Sequence, residues 1–148
     1  MATSLNPRVE YELKELISDL AGRDHTISET AADLIQIGVT IRKEELEPEI
    51  VGPLGIPRPF AKISLGDQTG ELRTEISDAL ADELVSEFDN KPNTATREAI
   101  RLGILAVAED EFTVEGPAGG PRPFAQIEFE TLEDAEVLNL IKDLQARL

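Results

Sequence analysis

Apolar residues at Val9, Leu13, Leu16, Ile17 and Leu20 recur every three to four positions and Gly22 follows them, a spacing that predicts an amphipathic helix with a glycine stop. Asn6 is a good N-cap for it, and Pro7 suits the first helical position, where a missing N–H costs nothing. Further along, Ile76, Leu80, Leu84, Val85 and Phe88 lay out the equivalent stripe, with Ser77 placed to cap it. A second helix is predicted from near Ser28 or Thr30 in the first half, and from near Thr94 or Thr96 in the second. These two segments, "AADLIQIGVTI" and "REAIRLGILAV", are apolar on more than one face and are expected to be the most buried helices. After each comes an extended stretch, "EPEIVGP" or "EFTVEGP", and then the alternating "RPFAKISL" or "RPFAQIEF". Each pair predicts two strands joined through a Gly/Pro connection. Thr131 to Leu148 closes the chain as a helix, with Thr131 as its cap and Glu133 and Asp134 in the first turn, where negative charge is favourable.

The pattern is repeated. "GPLGIPRPFAKI" at Gly52 to Ile63 returns as "GPAGGPRPFAQI" at Gly116 to Ile127, identical at nine of twelve positions. "LKELISDL" parallels "ADELVSEF", and Gly38 falls in register with Gly103. Self-similarity of this kind predicts a repeated unit of structure. The expectation is an α+β fold made by tandem duplication of a helix-helix-β-hairpin unit, with units at 1–67 and 68–131 and a C-terminal helix at 132–148. The two units are expected to pack as one domain about a pseudo-two-fold axis.

A chain of 148 residues with 41% hydrophobic content can bury a core. It has no apolar run of membrane-spanning length, and "MATSLNPRVE" lacks the pattern of a secretory signal, so a cytoplasmic protein with no membrane partner is expected. The absence of cysteine excludes disulfides, thiolate metal sites and a cysteine nucleophile. Thirty acidic residues against fourteen basic ones give a net charge of -16. At molar salt the screening length falls to roughly 3 Å, so the self-repulsion of such a chain largely disappears. The composition resembles that of halophilic, haloarchaeal cytoplasmic proteins. Its field opposes indiscriminate binding to nucleic acid, which depends on basic residues.

Leu72 to Val107, "LRTEISDALADELVSEFDNKPNTATREAIRLGILAV", nevertheless resembles the ribbon-helix-helix family of MetJ- and Arc-type DNA-binding proteins. In that family a short strand precedes two helices, and two chains pair their strands antiparallel. Ile76, Leu80 and Leu84 match the strand end and first helix, and "TREAIRLGI" matches the start of the second. The N-terminal unit is a degenerate match, with the helices present but Pro7 at a pairing-strand position. The resemblance implies that outward ribbon side chains read bases while the start of the second helix grips phosphate. It assigns Glu71, Arg73 and Glu75 to the outward ribbon face, with Leu72, Thr74 and Ile76 inward, and Thr94, Thr96 and Arg97 to the phosphate side. The function it implies is a ribbon-helix-helix-like transcriptional regulator of a halophile, acting on DNA, with the paired strands supplied within one chain or by a homodimer. The alternative is a non-enzymatic protein–protein interaction module on the same duplicated scaffold.

The repeated loop offers a second candidate. Flanking prolines fix the backbone, so Arg58 and Arg122 would be presented at little entropic cost to a phosphate, a carboxylate or a minor groove. The competing expectation is that each arginine pairs with a carboxylate of its own chain, Phe60 and Phe124 anchoring the core and Gly52, Gly55, Gly116 and Gly119 serving turns. The loops are no phosphate loop, since no Gly-Lys-Ser/Thr follows them. His25, the only histidine, lies in the polar "GRDHT" turn, and the acidic runs lack calcium-loop spacing. No catalytic residue, metal or cofactor is therefore expected, although an anion held between the two loops would make the chain a small-molecule sensor.

Overall fold

Polar and apolar residues alternate from Ser4 to Glu10, and this period of two makes a strand of a stretch that also carries helix-start signals. The computed structural model describes residues 2–46, 68–107 and 132–147 in full, and the backbone alone of residues 49–51, 57–58, 62–63, 108, 114–115, 121–122 and 125–126. In chain order the elements are β1 (Ala2–Leu5), β2 (Arg8–Glu10), α1 (Tyr11–Ala21), α2 (Ile27–Lys43), β3 (Glu49–Val51), β4 (Pro57–Arg58), β5 (Lys62–Ile63), β6 (Thr69–Glu71) and β7 (Thr74–Ser77). There follow α3 (Asp78–Phe88), α4 (Pro92–Ala108), β8 (Val114–Glu115), β9 (Pro121–Arg122), β10 (Ala125–Gln126) and α5 (Ala135–Gln145). The chain is thus a mixed α+β structure with small antiparallel sheets.

The N-terminal strands pair with the strands that precede α3. Ala2 lies opposite Ser77, Leu5 opposite Thr74, Arg8 opposite Glu71 and Glu10 opposite Thr69. The register is the same on both sides of the break at residues 6–7, so Asn6 faces Arg73 and Pro7 faces Leu72, whose N–H donates to the Pro7 carbonyl at 2.9 Å. The ladder ends with the N–H of Tyr11 donating to Gln68 at 3.1 Å. Each strand therefore runs straight into an 11-residue helix and then a 17-residue one.

This placement corrects the expected start of the first helix. Asn6 and Pro7 belong to the ladder, and α1 starts at Tyr11. Proline forfeits one ladder hydrogen bond at position 7, a loss offset by the burial of Leu5, Pro7 and Val9 on one face. The second helices also start earlier than expected. Thr26 caps α2 by accepting the Glu29 N–H at 3.1 Å, and α4 opens at Pro92, with Thr94 and Thr96 already inside it. Ser77 does cap α3, accepting from the Leu80 N–H at 3.1 Å. The cap of the last helix is Asp134, which accepts from Glu136 and Val137. Thr131 lies outside the described residues.

The core is built around α2 and α4. Leu34, Ile35, Ile37 and Ile41 on one and Ala99, Ile100 and Ile104 on the other are fully buried, with Leu13, Ile17 and Leu20 of α1 and Leu84 of α3 packed about them. The two long helices cross where side chains vanish: a Cβ on Gly38 would overlap the Ala99 carbonyl, and one on Gly103 would overlap the Leu34 carbonyl. Helix α5 lies against both, burying Val137, Ile141 and Leu144. Its ends are tied by polar contacts, Glu44 accepting the N–H groups of Glu133 and Asp134, and Gln145 donating to the Ala106 carbonyl.

The repeated loop segments form two three-stranded sheets by exchange. Strands β3 and β4 make an antiparallel hairpin with Ile50 opposite Arg58, and β10 of the second half adds to its other edge, Ala125 opposite Ile50. Strands β8 and β9 do the same with Val114 opposite Arg122, and there β5 of the first half is the added strand, Ile63 opposite Val114. The hairpins were expected from the sequence; the exchange of third strands was not.

Candidate nucleic-acid interface

Alternation along the ladder divides it into two faces. Leu5, Pro7, Val9, Leu72, Thr74 and Ile76 turn into the protein, while Ser4, Asn6, Arg8, Glu71, Arg73 and Glu75 are exposed. The exposed set is polar at every position and carries two arginines and two glutamates.

These groups are bonded to one another. The Asn6 amide donates to Glu71 at 3.2 Å, and the Arg73 Nε donates to the same Glu71 oxygen at 3.3 Å. Those hydrogen bonds, Asn6 first, together with the charge of Arg73, hold the Glu71 carboxyl below its ordinary range. The Arg73 side chain is 87% exposed, so the guanidinium that Glu71 holds through Nε remains in solvent. Ser4 donates to Glu75 at 3.3 Å. Arg8 is drawn along the ladder instead, donating to the Thr69 hydroxyl at 3.3 Å and to the Thr69 carbonyl at 3.0 Å.

The two long helices point their first residues at this ladder. Thr74, although it faces inward, donates its hydroxyl to the Ser28 carbonyl at the start of α2 at 2.8 Å. At the start of α4, Asn93 accepts from the Asn6 backbone N–H at 3.3 Å and donates to the Asn6 side chain at 3.4 Å. A groove of ≈ 550 Å³ lies along the ladder beside the start of α2, bounded by Ser4, Asn6, Ser28, Glu71, Arg73 and Glu75. Its lining sets the Arg73 guanidinium beside the carboxylates of Glu71 and Glu75, with hydroxyl and amide groups from Ser4, Asn6 and Ser28.

The expected phosphate-side residues fare unequally. Thr94 is half-buried near the start of α4. Thr96 is fully buried and its hydroxyl donates back to the Pro92 carbonyl at 2.6 Å, so it serves the helix. Arg97 is half-buried, with its Nε enclosed and unbonded. Arg101 forms an ion pair with the buried Glu10. Arg58 and Arg122 stand in β4 and β9, and their side chains, like Phe60, Phe124 and the loop glycines, lie outside the described residues.

Reading the sequence alone missed Ser4, Asn6 and Asn93; Arg8 was expected only as part of a basic stripe with Arg73, Arg97 and Arg101, of which Arg8 and Arg73 are exposed on the ladder. The signal was the alternation Ser4, Asn6, Arg8 against Leu5, Pro7, Val9, which the Asn-Pro pair overrode. A second groove, of ≈ 650 Å³, runs past the end of α2, but its Lys43 is paired with Glu83 at 3.3 Å and four acidic residues line it, so it suits an anion poorly. His25 is exposed, 3.7 Å from Glu29. Among the described residues no cluster of histidine and carboxylates has the arrangement of a metal site, and no helix is long and apolar enough to cross a membrane. Comparison with known proteins gives no matching family model, no similar curated protein and no similar solved structure.

Proposed function

We propose that the chain is a ribbon-helix-helix-like DNA-binding regulator of a halophile, in which tandem duplication supplies both halves of the usual dimer. One observation carries this reading: a single register runs from Ala2–Ser77 to the Tyr11–Gln68 bond, so two strands form one ribbon, each followed by matched helices. The polar outward face of that ribbon and the helix starts docked against it have the layout needed to enter a major groove and meet the flanking phosphates. The reciprocal crossing at Gly38 and Gly103 supports an internal two-fold relation between the units. Arg73 is the base-reading candidate, with Glu71 and Glu75 able to accept from cytosine N4. Thr94, Asn93 and the start of α2 are the phosphate candidates.

The net charge of -16 is compatible with this reading at high salt, where repulsion beyond a few ångströms is screened. Fluorescence anisotropy with genomic duplex fragments in molar potassium chloride tests it. Binding to some fragment tighter than to its scrambled counterpart is expected, and equal binding throughout rejects DNA recognition.

The net charge of -16, with Glu71 and Glu75 exposed on the ribbon, favours one second reading, a non-enzymatic interaction module for a basic protein. That reading expects no duplex preference in the same titration, and capture of a cationic partner that is lost on replacing Glu71 and Glu75 with glutamine.

A further inference from the structure

The two strands of the ribbon are unlike at corresponding positions. With Asn6 facing Arg73 at the centre, Ser4 holds the place in its strand that Glu71 holds in the other, and Arg8 the place that Glu75 holds. The contacts differ as well. Arg8 is tied to Thr69, whereas Glu75 receives the Ser4 hydroxyl, and Arg73 alone projects from the middle. A ribbon made by two identical chains presents the same chemistry twice and so matches an inverted repeat. This one presents a hydroxyl, an amide and a guanidinium from one strand, and a carboxylate, a guanidinium and a carboxylate from the other.

We infer that one molecule reads a single non-palindromic stretch of duplex DNA, in one orientation, because its two ribbon strands carry different side chains at corresponding positions. The inference rests on the DNA-binding reading above and deepens it by naming the class of target. The chemistry sets what the two half-sites hold. Guanine O6 and N7 suit the exposed Arg73, adenine N6 and N7 suit an amide such as Asn6, and cytosine N4 suits Glu71 or Glu75. Covalent linkage of the halves removes any need for a second copy, so the complex contains one chain per site.

Selection from a randomised duplex library with the full chain in molar potassium chloride, followed by stoichiometric titration of the enriched duplex, tests this. A directional motif bound one-to-one is expected. A palindromic motif, or two chains per duplex, overturns the inference while leaving DNA recognition intact, and no enrichment at all overturns both. A variant carrying Glu71→Ser, Arg73→Asn and Glu75→Arg gives the strands like side chains, and its selected motif is expected to become palindromic. If that variant folds, by circular dichroism, and still selects a directional motif, the asymmetry does not lie in the ribbon and the inference fails.

Discussion

Gly38 of α2 rests against the backbone carbonyl of Ala99 in α4, and Gly103 rests in the corresponding way against Leu34. Alanine in an unconstrained helix interior would gain about 1 kcal/mol over glycine. Here the added methyl meets backbone that cannot rotate away, and overpacking of a close contact costs about 1–3 kcal/mol, sometimes more. The overlap is with a backbone carbonyl, which puts the cost at the upper end of that range, so Gly38→Ala is expected to lower stability by about 2 kcal/mol net of the propensity gain. Urea denaturation in molar potassium chloride measures it. An unchanged or raised midpoint would mean that the helices do not touch at the glycines.

Glu10 is only 7% exposed, and Arg101 reaches it from α4 across the sequence. One carboxylate oxygen of Glu10 and the Nε of Arg101 remain enclosed without a partner, so the pair is incompletely satisfied. Removing one partner leaves a buried charge behind, which costs about 3 kcal/mol, whereas removing both is often close to neutral. Arg101→Met is expected to be strongly destabilising and the Glu10→Gln, Arg101→Met double variant much less so. A double-mutant cycle from thermal or urea melts reads the coupling, and additive losses would show that the two side chains do not depend on each other.

Helices α1 to α4 were legible because each carries apolar residues at helical spacing within a window of eleven to seventeen residues. The caps Ser77 and Gly22 and the two hairpins were legible for the same reason, since turn and cap chemistry is local. The N-terminal strand was not. Asn6-Pro7 satisfies the rules for a helix start as well as Leu5-Pro7-Val9 satisfies those for a strand, and what decides is a partner strand more than sixty residues away. Exchange of β5 and β10 between the hairpins was hidden likewise, because nothing in "FAKI" or "FAQI" says which edge it joins. The inward set Leu72, Thr74 and Ile76 lies where the family resemblance assigned it, whereas the outward set of the first strand was lost with the strand itself.

Helix α5 begins at a contact that can be cut cleanly. The Glu44 carboxylate accepts the N–H of Glu133 at 2.7 Å and that of Asp134 at 3.3 Å, serving two backbone donors ahead of the helix. A net intramolecular hydrogen bond of this kind contributes about 1 kcal/mol. Glu44→Ala is expected to cost about that much, and to speed amide exchange at Asp134 to Leu138 while the centres of α2 and α4 stay protected. Uniform acceleration across all three helices would show that α5 is part of one cooperative unit rather than docked by its end.

Glu71 holds both Asn6 and Arg73, and its carboxyl is held below the ordinary range by those two partners. A lowered folded-state pKa means that the stabilising contribution is present above the unfolded value and is lost as pH falls through the lowered one. The Asn6–Glu71–Arg73 arrangement should therefore be intact at neutral pH and come apart only in acid. NMR titration of the Arg73 Nε–H should show the change, and Glu71→Gln should abolish it. Under the proposed DNA-binding function, the same variant separates orientation from charge. Removing a negative charge strengthens sequence-independent attraction to phosphate, so binding to scrambled duplex should rise. Freeing the Arg73 guanidinium from Glu71 should at the same time weaken its discrimination among bases, where a well-held pair contributes about 1–3 kcal/mol. The ratio of specific to scrambled affinity is expected to fall severalfold although total binding does not. A ratio that is unchanged or higher would show that Glu71 only repels DNA and does not position the arginine beside it.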